Sequence, residues 1–167
     1  MDRRSILIAV ALLGVAWFLW SRASGGGAGI REGTPAPEFA LKAVDGSRTW
    51  SNASLAGMPY ALVFSASWCP SCREEMPEVA RLNRERPDLA IVTVSDEPGP
   101  MFGRWLADRR LSLAAAGDGS EAWRAFVVRS VPAVVVVDAE GNVAYASGGK
   151  WGVARGLKKL AKMQGGD

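Results

Sequence analysis

The chain carries two cysteines, both within Trp68-Cys69-Pro70-Ser71-Cys72, and no histidine. That pair limits both what the chain can staple and what chemistry it can host. A structural zinc site needs about four ligands, usually Cys or His, and two thiolates without imidazole do not supply one. A Cys–His nucleophilic pair is excluded. Two thiols separated by two residues are close enough to form an internal disulfide. A ring so small removes little chain entropy from the unfolded state. The pair therefore reads as a reactive site rather than a brace.

The surroundings give the pair a place in a fold. Tyr60 to Ser65 is a short apolar run, the pattern of a buried strand. Pro70 suits a first helical turn, and Arg86 ends the helix before Pro87. Cys69 thus stands at a strand-to-helix junction, where unpaired N–H groups and the helix dipole favour a thiolate. Cys72 lies one turn on, more sheltered, placed to attack a mixed disulfide formed at Cys69. Pro77 is expected to kink the helix. Strands are expected at Phe39–Val44, Arg48–Trp50, Leu89–Val94, Leu111–Ala115, Ala133–Val137 and Val143–Ser147. Further helices are expected at Pro100–Arg110, with Met101, Trp105 and Leu106 inward, at Ser120–Val127, capped by Asp118 or Ser120, and at Lys150–Met163. This order predicts an α/β fold: a central sheet with helices on both faces, preceded by an N-terminal hairpin.

The N-terminus opens with Asp2-Arg3-Arg4 and then an apolar run from Ile6 to Trp20. At ~1.5 Å per residue this run reaches roughly 22 Å, a marginal span of the ~30 Å hydrocarbon core. A cleaved signal has the same design, with Ser21-Arg22-Ala23 as its site. Trp17, Phe18 and Trp20 favour a retained anchor instead, as an aromatic belt at its outer end. Under either reading the arginines stay inside and the rest is exported. Three segments follow: an anchor over residues 1–23, a flexible Gly-rich tether over 24–33, and one domain over 34–167. A net charge of +3 is too small to argue for nucleic acid. Lys150, Arg155, Lys158, Lys159 and Lys162 read as the solvated face of the last helix, with anionic lipid or an acidic partner as the other reading.

Trp68-Cys69-Pro70-Ser71-Cys72-Arg73 after an apolar strand resembles the active site of the thioredoxin superfamily. Pro77, five residues past Cys72, resembles that family's helix-kinking proline, and Val131-Pro132 its cis-proline loop. Gly33-Thr34-Pro35-Ala36-Pro37-Glu38-Phe39, Phe64 to Pro70 and Val137 to Asn142 resemble the exported, membrane-tethered branch of TlpA, ResA and DsbE/CcmG-type reductases. This resemblance implies a thioredoxin-like fold. It implies Cys69 as attacking thiol, Cys72 as resolving thiol, and a redox-active disulfide with no cofactor or metal. It implies a cis bond before Pro132 that sets Val131 against the disulfide, where its backbone takes a client strand. Glu75 matches a glutamate the branch keeps near its thiols and is expected to relay protons to Cys72 or raise thiol pKa values; an exposed first-turn residue is the other reading. Trp68 is expected to shield one side of the disulfide.

The resemblance also implies a single-pass protein of the bacterial cytoplasmic membrane, with its catalytic domain outside. It would reduce client disulfides, those formed by apocytochrome c cysteines first among them, and draw electrons from a DsbD/CcdA-like membrane thiol donor. Val63 stands where general thioredoxins carry a buried aspartate, Ala133 where relatives often have Thr, and Ser71 where strong oxidants have His. Maturation of copper sites or exported enzymes is the alternative client class, and a copper-assembly module the non-enzyme alternative. A peroxidase is a third reading, against which Ala66 lacks the hydroxyl wanted three residues before the cysteine.

Overall fold

The computed structural model describes residue 14 and residues 27–165. Apart from Gly14, the anchor expected over 1–23 lies outside the described residues, as do residues 24–26 of the tether. Among the described residues, no helix is long and apolar enough to cross a membrane.

The sheet grows from sequences that are apolar at every position. Strand β3 (Tyr60–Phe64) and β6 (Ala133–Val137) are buried throughout, as strands covered on both faces must be. They pair antiparallel, Phe64 against Ala133. On its other side β3 pairs parallel with β4 (Ala90–Val94), and β4 with the short β5 (Ala115–Ala116). Strand β7 (Val143–Gly148) closes the far edge against β6. The resulting mixed sheet has the order β5-β4-β3-β6-β7. Upstream, β1 (Ala40–Lys42) and β2 (Thr49–Ser51) form the separate hairpin.

Side chains alternate across β3 and so feed two cores. Ala61 and Val63 point to one face, where helices α1 (Pro70–Glu85) and α4 (Gly149–Met163) bring Met76, Val79, Val153, Leu157 and Leu160. Tyr60, Leu62 and Phe64 point to the other, under Phe39, Leu41 and Phe126, with Ala122 of helix α3 (Ser120–Ala125). Helix α2 (Gly99–Asp108) packs Phe102 and Leu106 against Ala115 at the β5 edge. Each such large apolar side chain contributes about 1.5–3 kcal/mol on burial. This is the thioredoxin-like arrangement.

Four details depart from the sequence reading. The tether does not run free to residue 33. Ala28 is buried and bridges Val128, Gly29 N donates to Val127 O at 2.9 Å, and Arg129 N donates to Gly27 O at 2.8 Å. Gly27 adopts φ 124°, and a Cβ there would stand 2.3 Å from Gly148 Cα. Glycine here serves close backbone approach rather than looseness. Helix α2 turns Leu106 inward and half-buries Trp105 as expected, but Phe102 takes the inward place expected of Met101, which is exposed. The strand expected at Leu111–Ala115 shrinks to Ala115–Ala116. Helix α3 ends at Ala125 and has no side-chain cap; Asp118 Oδ2 instead accepts from Gly99 N at 3.0 Å, at the start of α2.

Candidate active site

The site is built where β3 ends. Ser65 N donates to Val94 O at 3.0 Å, carrying the ladder one residue past the strand. The chain then turns through Ala66, Ser67 and Trp68 into α1. Glu97, buried in the loop after β4, pins that turn. Its carboxylate accepts from Ser67 N at 2.6 Å, from Ser67 Oγ, and from Ser95 Oγ at 3.0 Å. Charge-assisted bonds of this kind are stronger than neutral ones. They fix the backbone just ahead of Cys69.

Cys69 is the N-cap residue of α1 and adopts extended backbone angles. Cys72 N donates to Cys69 Sγ at 3.2 Å, and Arg73 N donates to Cys69 O at 3.2 Å. The sulfur thus occupies the place of a capping oxygen, facing the unpaired donors of the first turn. Pro70 follows at the first helical position, where its missing N–H is no loss. Cys69 and Cys72 are joined as a disulfide, with Cα atoms 5.3 Å apart. Ser71 Oγ lies 3.4 Å from Cys69 Sγ.

The two sulfurs differ in access. Cys72 is fully buried and Cys69 is 4% exposed. The opening at Cys69 is narrower than the sequence suggested, because Ala66, Trp123 and Val131 pack around the pair. The Val131–Pro132 bond is cis. Val131 O lies 3.5 Å from Cys69 Sγ. Pro132 O is held by Gly149 N at 2.7 Å, tying this loop to the start of α4. Trp68 is 59% exposed beside the disulfide.

Glu75 lies one turn beyond Cys72 on the inward side of α1, only 6% exposed. Its Oε2 has no hydrogen-bond partner. Burial pushes its carboxyl up from 4.5 to about 7, against the opposing pull of the Lys150 ammonium. A buried carboxyl that changes charge close to neutral pH therefore lies one turn along the helix from the resolving cysteine. The exposed-residue reading of Glu75 does not hold. The cause is the packing of α1 against the sheet, which takes that whole stripe out of water.

Residues 33–146 match the protein-family model described as the AhpC/TSA family. The chain belongs to that family. It is 37% identical over 91 residues to the thioredoxin-like protein YneN of Bacillus subtilis, covering 53% of each chain. It is 45% identical over 75 residues to the thiol:disulfide interchange protein DsbE of Pseudomonas aeruginosa, covering 44% of this chain and 41% of that one. The chain spans about half the length of the first of these relatives and less of the second. Among solved structures, a thiol:disulfide interchange protein of the thioredoxin family from Chlorobium tepidum superposes with a TM-score of 0.66 at 30% identity, covering 81% of this chain and 98% of that one.

In this AhpC/TSA member the structure gathers Cys69, Cys72, Pro70, Val131 and Pro132 at one end of the sheet, with Glu75 one turn below. Val63 is fully buried in the face that α1 covers, so the aspartate position of general thioredoxins is apolar here. Sequence reading missed Glu97 and Trp123. Glu97 sits in a Ser-Asp-Glu-Pro stretch that looks like an ordinary polar loop, and its partner Ser67 is 30 residues away. Trp123 also stands edge-on to Phe64, with ring centroids 6.1 Å apart, and no local pattern announces either contact.

Proposed function

We propose that this protein is an extracytoplasmic thiol–disulfide oxidoreductase that reduces disulfides in client proteins through Cys69 and Cys72. The observation that carries the reading is the asymmetry of the pair: one sulfur capping a helix at a narrow opening, the other buried behind it. In the reduced protein the Cys69 thiolate attacks one sulfur of a client disulfide. The client's other sulfur leaves as a thiolate and takes a proton. Cys72 then loses its proton, attacks Cys69 Sγ and expels the second client sulfur. The client gains two electrons and two protons, and the protein is left with its internal disulfide. Glu75 would accept the Cys72 proton in this step and return it when the disulfide is reduced again; its burial and its carboxyl raised to about 7 support that role.

Val131, held by the cis bond beside Cys69, would offer its backbone to an extended client segment. Similarity to DsbE supports a thiol–disulfide exchange role, and the branch resemblance favours apocytochrome c thiols as client. Electrons would return from a membrane thiol donor. The basic start and apolar run of residues 1–20 support an anchored, outward-facing protein.

Trapping with Cys72→Ala tests the roles directly. Mass spectrometry should find clients joined through Cys69 alone. Capture of nothing, or capture through another residue, would refute the assignment. A reduction potential more positive than about −150 mV would mark an oxidant instead. Cu(I) uptake by a protein that fails to reduce insulin would favour the copper-assembly reading. Hydroperoxide turnover would favour a peroxidase.

A further inference from the structure

Helix α4 carries Lys150, Arg155, Lys158, Lys159 and Lys162, and residues 149–165 contain no acidic side chain. Its inner face is spent on the sheet through Val153, Leu157 and Leu160. Its outer face is not. Trp151 is 78% exposed. Trp151, Ala154, Arg155 and Lys158 recur at helical spacing and line one shallow surface hollow of about 400 Å³. Lys159 is engaged, donating to Ala144 O at 2.7 Å. Among the described residues, Arg155 and Lys158 form no ion pair. A large indole left in water beside unpaired cations is the composition of a helix that lies in a membrane interface.

With residues 6–20 as an anchor, the course of the chain would bring this face close to a bilayer. Gly27 touches Gly148, the residue that caps α4. Trp151 lies three residues further, about 4.5 Å along the helix axis. From Trp20, where the apolar run ends, to Gly27 is seven residues, which extended reach at most roughly 25 Å. An anchor in residues 6–20 would thus keep the bilayer within roughly 25 Å of the end of the molecule where α4 begins.

We propose that the face formed by Trp151, Ala154, Arg155 and Lys158 docks on the anionic surface of the bilayer that holds the N-terminal anchor. The proposal rests on the anchored reading of residues 6–20. Docking would do more than add affinity. Gly149 N holds Pro132 O, so the loop that carries Val131 is fastened to the docked helix. Docking would therefore hold the client-binding loop at a fixed place relative to the bilayer.

The test uses the full chain in its oxidised form, in which Cys69 and Cys72 are joined and do not react. Ala154→Cys is labelled with an environment-sensitive fluorophore. The protein is then reconstituted into vesicles of phosphatidylcholine alone or with phosphatidylglycerol, and flotation is measured alongside emission. Docking predicts flotation with both lipids and a blue shift only on the anionic vesicles, reversed by high salt. At roughly fivefold per basic side chain, Arg155→Gln with Lys158→Gln should lower the docked-to-undocked ratio about 25-fold. The same double variant should leave reduction of a small soluble disulfide unchanged. Flotation without any shift overturns the docking proposal, spares the anchor, and leaves the face to an acidic protein. Failure to float with either lipid overturns both readings. A shift that survives the double variant, or one that grows with protein concentration in lipid-free detergent and so marks a second copy, also overturns it.

Discussion

Glu75→Gln isolates what one buried carboxyl costs and what it does. The native carboxyl is raised from 4.5 to about 7 by burial. Between those two values the folded protein binds a proton that the unfolded chain releases. Stability is therefore fully present below about pH 4.5 and is lost as pH rises through 7. Some 2.5 pH units at 1.36 kcal/mol each give a loss of about 3 kcal/mol by pH 8. Glutamine keeps the shape and does not ionise, so it removes that loss. Urea unfolding of the oxidised protein at about pH 4 and pH 8 reads the difference. With an m-value of about 1–3 kcal/mol/M, the variant's midpoint should exceed wild type by roughly 1–3 M at the higher pH and match it at the lower. Parallel curves for the two proteins across that range would mean that the carboxyl ionises freely in the fold. The proton-relay role would fall with it. With a working relay, the variant is more stable but slower in the step by which Cys72 attacks Cys69 Sγ and releases the client, and its rate loses the inflection near pH 7.

Three other substitutions test the framework. Glu97→Ala leaves Ser67 N and the hydroxyls of Ser67 and Ser95 without their acceptor; unfolding should show a loss of about 1–3 kcal/mol, and Cys69 alkylation in the reduced protein should change rate. Phe102→Ala empties the centre of the α2 packing and should cost about 3–5 kcal/mol, with the reduction potential unchanged. A Cβ at Gly156 would meet Val134 Cγ1 at 2.7 Å, so Gly156→Val should push α4 off the sheet and cost about 1–3 kcal/mol in chemical denaturation.

The sheet was legible because its strands are continuous apolar runs. Ala133–Val137 matched residue for residue, since four successive valines favour no other state as strongly. The Cys69–Cys72 junction was legible for a similar reason: strand, small polar turn, proline and helix follow without a gap. Helix phase was harder. Met101 and Phe102 are both large and apolar, and only the position of Ala115 and Val44 decides which one turns inward. Asp118 has the chemistry of a local cap, but the α2 N-terminus 19 residues upstream takes its oxygen. The sequence does carry a signal for the burial of Glu75. Cys72, Glu75, Met76 and Val79 make an i, i+3, i+4, i+7 stripe, and a glutamate within such a stripe is carried into the core with its neighbours.

The short backbone ladder between residues 27–29 and 127–129 has a practical consequence for anyone who cuts this protein. A soluble fragment begun at Thr34, the start that the proline-rich motif invites, strips away the partner of Val127 O and Arg129 N. Those groups would then form a raw margin two residues from Val131, open to pairing with any extended peptide in solution. A fragment begun at Gly27 keeps that margin closed, so the two truncations are not interchangeable reagents for measuring client selectivity.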